Sequence, residues 1–337
     1  MSCILLTGGS GYIGSHIASL LAREDKDFVI IDNFINSKKS VIKRLEDTSN
    51  KKINFVECDI RNTKKLIKIL KEKKISAVIH LAAKKSVEES ILNPLEYYDV
   101  NVSGTLSLLN AMKTVGVKNL VFSSSATIYG EPEYLPIDEE HPINAINPYG
   151  ESKIIVENIL SDLIKSDKEW SIVSLRYFNP IGAHFCGLLG DDPKNIKSAN
   201  LLPVIIEVAQ GKRECLKIFG NDYSTLDGTG IRDYIHIMDL ASAHIKAFDF
   251  IKNAKGLYVF NLGTGKGVSV MELINCFEKV SKIKIPKIIV NRRLGDVGSC
   301  FANPSKAYEL LNWRTKYSLE DMCQTAWNFS KTNKLIK

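Results

Sequence analysis

Long apolar runs are missing from this chain. No stretch approaches the ~18 consecutive apolar residues of a membrane-spanning helix, so no membrane partner is expected. The start carries no charged n-region, and its apolar run Cys3-Ile4-Leu5-Leu6 stops at Thr7-Gly8-Gly9, which argues against a secretory signal. Ser2 stands where myristoylation requires glycine. Cysteine is sparse too. Its seven positions (Cys3, Cys58, Cys186, Cys215, Cys276, Cys300 and Cys323) contain no Cys-x-x-Cys pair or other metal-ligand spacing. Odd, scattered thiols exclude a complete disulfide framework and point to a reducing, cytoplasmic compartment with no metal site. Charge of one sign is also scarce. Lys plus Arg (45) exceeds Asp plus Glu (38) by only 7, and the excess is spread along the chain. That leaves room for anionic ligands but falls short of a nucleic-acid footprint.

What is present is ordinary globular composition: 337 residues, 45% hydrophobic and 25% charged, a length that suits two lobes. The first half alternates short apolar runs with amphipathic stretches. Cys3–Leu6, Phe28–Ile31, Ile53–Val56, Ala77–Leu81, Leu120–Phe122 and Ile172–Leu175 read as strands buried on both faces. Helical patterns lie between them, near 12–24, 38–47, 62–73, 94–115 and 150–167. The lysine-rich run Lys64–Lys74 spaces Leu66, Ile67 and Leu70 as one apolar face, so it reads as a helix with a solvated lysine side. Repeated β-α alternation predicts an α/β fold with a doubly wound parallel sheet of Rossmann type. From 179 to 235 the chain turns rich in Gly, Asn, Asp and Pro, with one helical pattern at Leu201–Gln210, as a smaller substrate-binding lobe would require. The pattern returns with a helix near 238–252, a strand at Tyr258–Leu262 and helices near 269–281 and 318–330. The expected division is therefore interleaved: 1–178 with about 236–262 as the dinucleotide-binding domain, and about 179–235 with 263–337 as the substrate lobe.

Gly8, Gly11 and Gly14 follow the first strand and open the first helix, spaced as G-x-x-G-x-x-G. A glycine turn there lets backbone N–H groups approach a pyrophosphate, and the helix N-terminus adds a favourable dipole. Asp32 ends the second strand, where a carboxylate accepts from both ribose hydroxyls and repels a 2′-phosphate, so NAD is preferred over NADP. Asp59 ends the third strand, in reach of the adenine. Tyr149 and Lys153 sit at i and i+4 on one helix face. A free phenol is a poor base, and a neighbouring ammonium favours the phenolate. Ser123-Ser124-Ser125 lies beyond the fifth strand, at the sheet end where ligands bind. His16, on the first helix, and His80, inside a buried strand, read as structural.

Taken together, TGGSGYIGSH (7–16), DNFINSKKSV (32–41), PLEYYDVNVSGT (94–105), SSSATIYG (123–130), NPYGESK (147–153), LRYFNPIGAH (175–184) and the segment 218–241 resemble the UDP-glucose (UDP-galactose) 4-epimerase family. This is a branch of the extended short-chain dehydrogenase/reductases. The resemblance implies a tightly bound NAD regenerated in each turnover, UDP-hexose substrates and a homodimer built through the helices near 94–115 and 150–167. It implies that Gly8, Gly11, Tyr12 and Ile13 hold the pyrophosphate, that Asp32, Asn33, Asn36 and Ser37 serve the adenosine ribose, and that Asp59 and Ile60 face the adenine. The strand exit Leu81, Ala82, Ala83 and Lys85, with Ser123, Tyr149, Lys153 and Tyr177, would line the nicotinamide end. Asn101 resembles a residue that orders the sheet beneath the cofactor. Ser125 would bind the sugar O4, and Tyr149 would remove its proton with Lys153 beside it. Phe178, Asn179, Asn200, Leu201, Lys217, Ile218, Phe219, Arg232, Arg293 and Asp296 would hold the UDP-sugar, the arginines through charge-assisted bonds to the diphosphate.

Four sites depart from the family pattern or sharpen it. Related 4,6-dehydratases follow their serine or threonine with an Asp-Glu pair that eliminates water; here Ala126-Thr127 stands there, which favours epimerisation. Lys84 precedes Lys85 where relatives have one lysine, and register favours Lys85. In Arg292-Arg293-Leu294-Gly295-Asp296, Leu294 replaces an acid. Cys300 occupies a position where some relatives carry tyrosine, and the smaller side chain implies room for an N-acetylated sugar.

Overall fold

The computed structural model describes residues 3–192, 200–293 and 296–335; Leu294 lies outside the described residues. In chain order the first half runs β1 (Cys3–Thr7), α1 (Tyr12–Arg23), β2 (Phe28–Asp32), α2 (Ser40–Ser49), β3 (Phe55–Glu57), α3 (Thr63–Glu72) and β4 (Ile75–His80). It continues with α4 (Val87–Leu92), α5 (Pro94–Tyr97), a π-helical turn at Tyr98–Ser103, α6 (Gly104–Val115), β5 (Asn119–Ser123), α7 (Pro148–Ser166) and β6 (Ser171–Tyr177). The second half runs β7 (Asn179–Ile181), α8 (Leu201–Ala209), β8 (Leu216–Phe219), β9 (Ile231–Arg232), β10 (Tyr234–His236), α9 (Ile237–Ile251) and β11 (Gly256–Leu262). It closes with β12 (Val268–Ser269), α10 (Val270–Ser281), β13 (Lys287–Val290), β14 (Ser299–Cys300), α11 (Ser305–Leu311) and α12 (Leu319–Leu335).

Seven strands form one parallel sheet in the order β11-β6-β5-β4-β1-β2-β3. Its strands are apolar on both faces because alternate side chains enter different cores. Ile4, Leu6, Ile30, Ile79, Val121 and Val173 face α1 and α9, packing with Ile17, Leu21, Leu240 and Phe248. Leu5, Ile31, Val78, Leu120, Phe122 and Ile172 face α3, α6 and α7, packing with Leu66, Leu70, Leu108, Met112, Val156 and Leu160. The chain winds outward through β2 and β3, then restarts at β4 on the other side of β1. That reversal opens a crevice at the carboxyl ends of β1 and β4, the place where doubly wound sheets bind ligands.

Three expectations need correction. The third strand is Phe55–Glu57 rather than Ile53–Val56, and its Phe55 and Glu57 are exposed, because β3 is the sheet's edge. The helix expected over 94–115 contains the π turn, which widens the backbone around Asn101. Between 179 and 235 the chain forms β7 to β10 as well as the one helix anticipated; these strands are too short to show a period. They make a parallel pair of β7 with β10, a pair of β8 with β13, and a small sheet β12-β9-β14. Their core gathers Leu202, Ile205, Ile218, Leu273, Phe277 and Met322 from α8, β8, α10 and α12.

A buried ion pair fastens α7 to the sheet. Arg176 on β6 donates to Glu157 of α7 at 2.6 Å, Ser174 donates to the same carboxylate at 2.7 Å, and Arg176 also donates to the Tyr129 hydroxyl at 3.0 Å. Glu157 lies one turn beyond Lys153, so this network sets the height of the Tyr149–Lys153 face. Arg176→Met would strand a buried carboxylate and is expected to lower unfolding stability by about 3 kcal/mol. Denaturant titration of the variant at neutral pH checks this; a change within a few tenths would contradict it.

Candidate active site

The glycine turn is dictated by space. Gly8 has a φ of +67°, and a Cβ on it would sit 2.9 Å from the Ala82 backbone. A Cβ on Gly14 would lie 2.4 Å from the Gly8 carbonyl. The turn therefore closes tightly onto the first residues of α1, whose N-cap Gly11 makes no side-chain cap, leaving first-turn N–H groups directed at the crevice. Under it, Thr7 Oγ1 accepts from the Leu81 and Ala82 amides at 3.2 Å each, so the exit of β4 is stitched to the exit of β1.

Beside this turn lies a cavity bounded by Gly8, Gly11, Tyr12, Ile13, Asp32, Asn33, Asn36, Ser37, Ile60, Leu81, Ala82, Ala83, Lys85, Tyr149, Lys153 and Tyr177, all expected from the sequence. Asp32 is oriented by its neighbours: it accepts from the Phe34 amide at 2.8 Å, from Ser37 Oγ at 3.1 Å and from the Ser10 amide at 3.2 Å. A carboxylate held this way at the strand end fits a dinucleotide ribose and opposes a 2′-phosphate. With the glycine cradle and the open helix N-terminus, these residues fit NAD.

At the other end of the cavity, the Lys153 ammonium donates to the Ser123 carbonyl at 2.8 Å and lies 5.8 Å from the Tyr149 ring centroid. Burial pulls Lys153 down to about 8, against the opposing influence of Glu157. Burial also pushes the Tyr149 phenol upward, and only the hydrogen bond with Ser125 acts the other way. The protein's own groups therefore do not by themselves populate the Tyr149 phenolate at neutral pH, contrary to what the i, i+4 lysine suggests. Ser125 caps a 3-10 turn at Ala126–Tyr129, and its Oγ accepts from Thr127 Oγ1 at 2.8 Å, so a hydroxyl stands beside it at position 127.

Several expected contacts fall elsewhere. Asp59 does not border the cavity: it is taken by Arg61, with Nε donating at 2.9 Å, and by Asn33 Nδ2 at 3.0 Å. Asn101 lies behind the cavity, bonded to the Lys84 backbone and to Ser152, so its role is to hold the β4 exit against α7. Ser123 is buried, its hydroxyl on His244 and its carbonyl on Lys153. Ile218 is buried in the smaller core. Between the two lysines the geometry discriminates. Both border the cavity, but Lys84 is clamped by Glu89 at 2.8 Å and Glu96 at 2.7 Å, while Lys85 stays half exposed over the Tyr12 ring with Asp191 at 4.0 Å.

The residues expected to hold UDP lie outside this cavity, in and around the small strands. Cys300 pairs in register with Arg232, and it packs at the edge of a cluster containing Phe178, Tyr129 and Ala302. Arg232 reaches Asp296 at 3.2 Å. Arg293 stacks on the Phe219 ring at 3.9 Å and approaches Glu88 at 3.6 Å. Lys217 is exposed on β8, Asn179 begins β7, and Asn200 and Leu201 start α8. Sequence reasoning missed Ser10, Arg44, Arg61, Val100 and the stretch Leu188–Asp192, all of which border the cavity. Only the Gly190-Asp191-Asp192 turn carried a signal, and a loop signal does not say which surface the loop meets. Among the described residues, no cluster of three His, Cys, Asp or Glu has metal-binding geometry, and no helix is long and apolar enough to cross a membrane.

Comparison with known proteins agrees with this geometry. Residues 5–326 match the family model described as GDP-mannose 4,6 dehydratase. The chain is 50% identical over 331 residues to a UDP-glucose 4-epimerase of Dictyostelium discoideum, covering 98% of this chain and 96% of that one. It is 42% identical to the UDP-glucose-4-epimerase of Stenotrophomonas maltophila, solved with bound NAD and formylated UDP-arabinopyranose, with a TM-score of 0.98 and full coverage of both chains. It is 44% identical to the Bifidobacterium longum UDP-glucose 4-epimerase in complex with NAD+ and UDP, with a TM-score of 0.95 and 99% coverage of each. The family model and the relatives name different reactions. Ala126-Thr127 beside Ser125 decides between them, since elimination of water would need an acid there.

Proposed function

The chain belongs to the UDP-glucose 4-epimerase family of the extended short-chain dehydrogenase/reductases, and on that premise we propose that it interconverts UDP-galactose and UDP-glucose with NAD as a resident cofactor. The observation that carries this reading is Tyr149 and Lys153 bordering one end of a dinucleotide cavity with Ser125 hydrogen-bonded to Tyr149, and Thr127 standing where a dehydratase needs an acid. NAD, when bound, supplies a hydride acceptor for the sugar C4 and the donor that returns it. The chain's own residues do the rest. Ser125 Oγ orients the O4 hydroxyl, and Tyr149 takes its proton and later gives it back. Lys153, fixed on the Ser123 carbonyl, keeps a positive charge next to the phenol. Arg232 and Arg293 hold the diphosphate while the 4-keto sugar turns about that linkage and presents its other face.

Incubating the purified protein with UDP-galactose and no added cofactor tests the proposal. UDP-glucose should appear until the two sugars equilibrate. A stoichiometric demand for added NAD(H) would instead support a net oxidoreductase. A 4-epimerase of another UDP-sugar would leave both hexoses unconverted and turn over a uronate or pentose.

The range of sugars is argued from Cys300. Its side chain is half-buried beside Phe178, and burial pushes the thiol up to about 11, so it acts through size rather than as a nucleophile. A tyrosine there would fill the volume an acetamido group needs. The protein is therefore read as accepting UDP-GlcNAc and UDP-GalNAc too. Cys300→Tyr is expected to reduce the acetamido activity by 10-fold or more, of the order a steric misfit imposes, while sparing the plain hexose. Equal loss of both, or of neither, in paired assays would reject this.

The homodimer is proposed through the segment from α5 to α6 and through α7; Leu95 on α5 and Leu106 on α6, with Ile91 and Leu92 of neighbouring α4, are exposed apolar residues. The free state of all seven cysteines supports a cytoplasmic location. The interleaved division of labour between the sheet domain and the smaller lobe belongs to the same reading.

A further inference from the structure

Nothing in the proposed reaction uses Cys186, although its surroundings are those of an activated thiol. It is exposed, in the turn His184–Leu189 that follows β7. The turn is closed by the His184 amide donating to the Leu189 carbonyl at 3.0 Å and the Gly187 amide to the His184 carbonyl at 2.9 Å. His184 Nδ1 stands 2.9 Å from the Cys186 sulfur. The Cys186 amide also donates to Nδ1 at 3.2 Å, which marks that nitrogen as an acceptor able to take the thiol proton. The Thr48 hydroxyl and the Leu188 amide both lie 3.5 Å from the sulfur. Burial raises the thiol, but these bonds outweigh it and bring Cys186 down to about 7; burial raises Cys3, Cys58 and Cys300, and Cys276 is lowered by its hydrogen bond with buried Cys323 but has no histidine partner among the described residues.

The position matters as much as the chemistry. Leu188 to Asp192, directly after the turn, border the cofactor cavity. Asp192 is tied to Lys38, just before α2, and to Arg44 on it, and Cys186 meets α2 at Thr48. The segment is thus a strap from the smaller lobe across the adenosine end of the cavity, and the sulfur sits at one of its fastenings.

We propose that Cys186 is a thiol-modification site at which a low-molecular-weight disulfide forms a mixed disulfide, and that the adduct loosens the strap over the cofactor. The exchange is balanced. The thiol proton passes to His184 Nδ1, the Cys186 sulfur attacks one sulfur of the disulfide, one S–S bond forms as the other breaks, and the departing thiolate takes the proton from His184. Once the sulfur is part of a neutral disulfide it is a poorer acceptor than the thiolate, so the Thr48 hydroxyl on α2 and the Leu188 amide of the strap lose the bond that fastens them there.

The test uses the purified protein with its cofactor and glutathione disulfide as the probe. Peptide mass spectrometry should find the adduct on Cys186 before any other cysteine. NAD should be released in step with it, and reduction should reverse the adduct. In Cys186→Ser, no early adduct and no release are expected, with basal turnover unchanged. Replacing His184 by Gln, and separately by Asn, should slow adduct formation at pH 7 about 3-fold. That factor is the gain in thiolate fraction less the lower nucleophilicity of a more acidic thiol. Adducts spread evenly over the cysteines, or an unchanged rate in both His184 variants, would overturn the activation. Full modification of Cys186 with the cofactor retained would overturn the link to the strap. None of these readouts depends on which sugar the enzyme epimerises.

Discussion

Turnover should fall about 10³-fold in Tyr149→Phe while NAD stays bound. The size follows from the loss of a positioned proton acceptor, which contributes typically ~10²–10⁴-fold. The variant is chosen because it keeps the ring. Tyr149 is buried on the first turn of α7, and its aromatic body fills space between the β5 exit and the cavity. Removing the hydroxyl deletes only the partner of Ser125. Burial already pushes this phenol above its ordinary range and the Ser125 hydrogen bond opposes it only in part, so a positively charged cofactor ring bound here would be what favours the phenolate further. The prediction is checked by single-turnover assay together with the absorbance of the retained cofactor. Full activity, or loss of the cofactor, would contradict the assignment of Tyr149 as the base.

Acid should unfold this protein early. His16, His80, His236 and His244 are all buried, and burial holds their basic forms neutral, pulling them to about 3, 3, 4 and 4 from an ordinary value of 6.5. The unfolded chain therefore binds more protons below pH 6.5, and folding stability falls with it. The stability is fully present above 6.5 and is lost as pH drops toward 4. Asp239 opposes this, since burial raises it to about 6 and it takes up a proton while still folded. At pH 5.5 unfolding should be accompanied by net uptake of about 3 protons from these five groups. Stability should be about 5 kcal/mol below its value at pH 7.5. Denaturant unfolding at the two pH values, in buffers of different ionisation enthalpy, measures both. A flat stability between pH 7.5 and 5.5 would show that these histidines titrate normally.

The same residues show how far the sequence could be read. Histidine at 16 and at 80 was legible as structural because each falls inside an apolar periodic segment. The partners that keep His80 buried, Thr7 at 2.7 Å and Thr105 at 2.9 Å, come from distant parts of the chain. The strands of the large sheet were legible because burial on both faces demands apolar runs, and the edge strand β3 was misplaced because one face of an edge is exempt. The small strands of the second lobe escaped because their pairing partners lie far away in sequence, as Ile231–Arg232 with Ser299–Cys300.

By itself, the sequence determined what is local: the glycine turn before a helix, the carboxylate at the end of the second strand, and a tyrosine and lysine one helical turn apart. These follow from backbone sterics and helical period, which act over a few residues. Tertiary structure alone decided which charges are free to meet a ligand. Asp59 is spent on Arg61 and Asn101 on the backbone beneath the cavity; of the two lysines bordering it, Lys84 is held by Glu89 and Glu96, whereas Lys85 has the looser partner Asp191 at 4.0 Å, and Asp32 faces it too. It also brought His184, Thr48 and Cys186 together from β7's exit and α2. The reason is that a polar group's availability depends on every competing partner within hydrogen-bond reach, and packing, not spacing along the chain, chooses those partners.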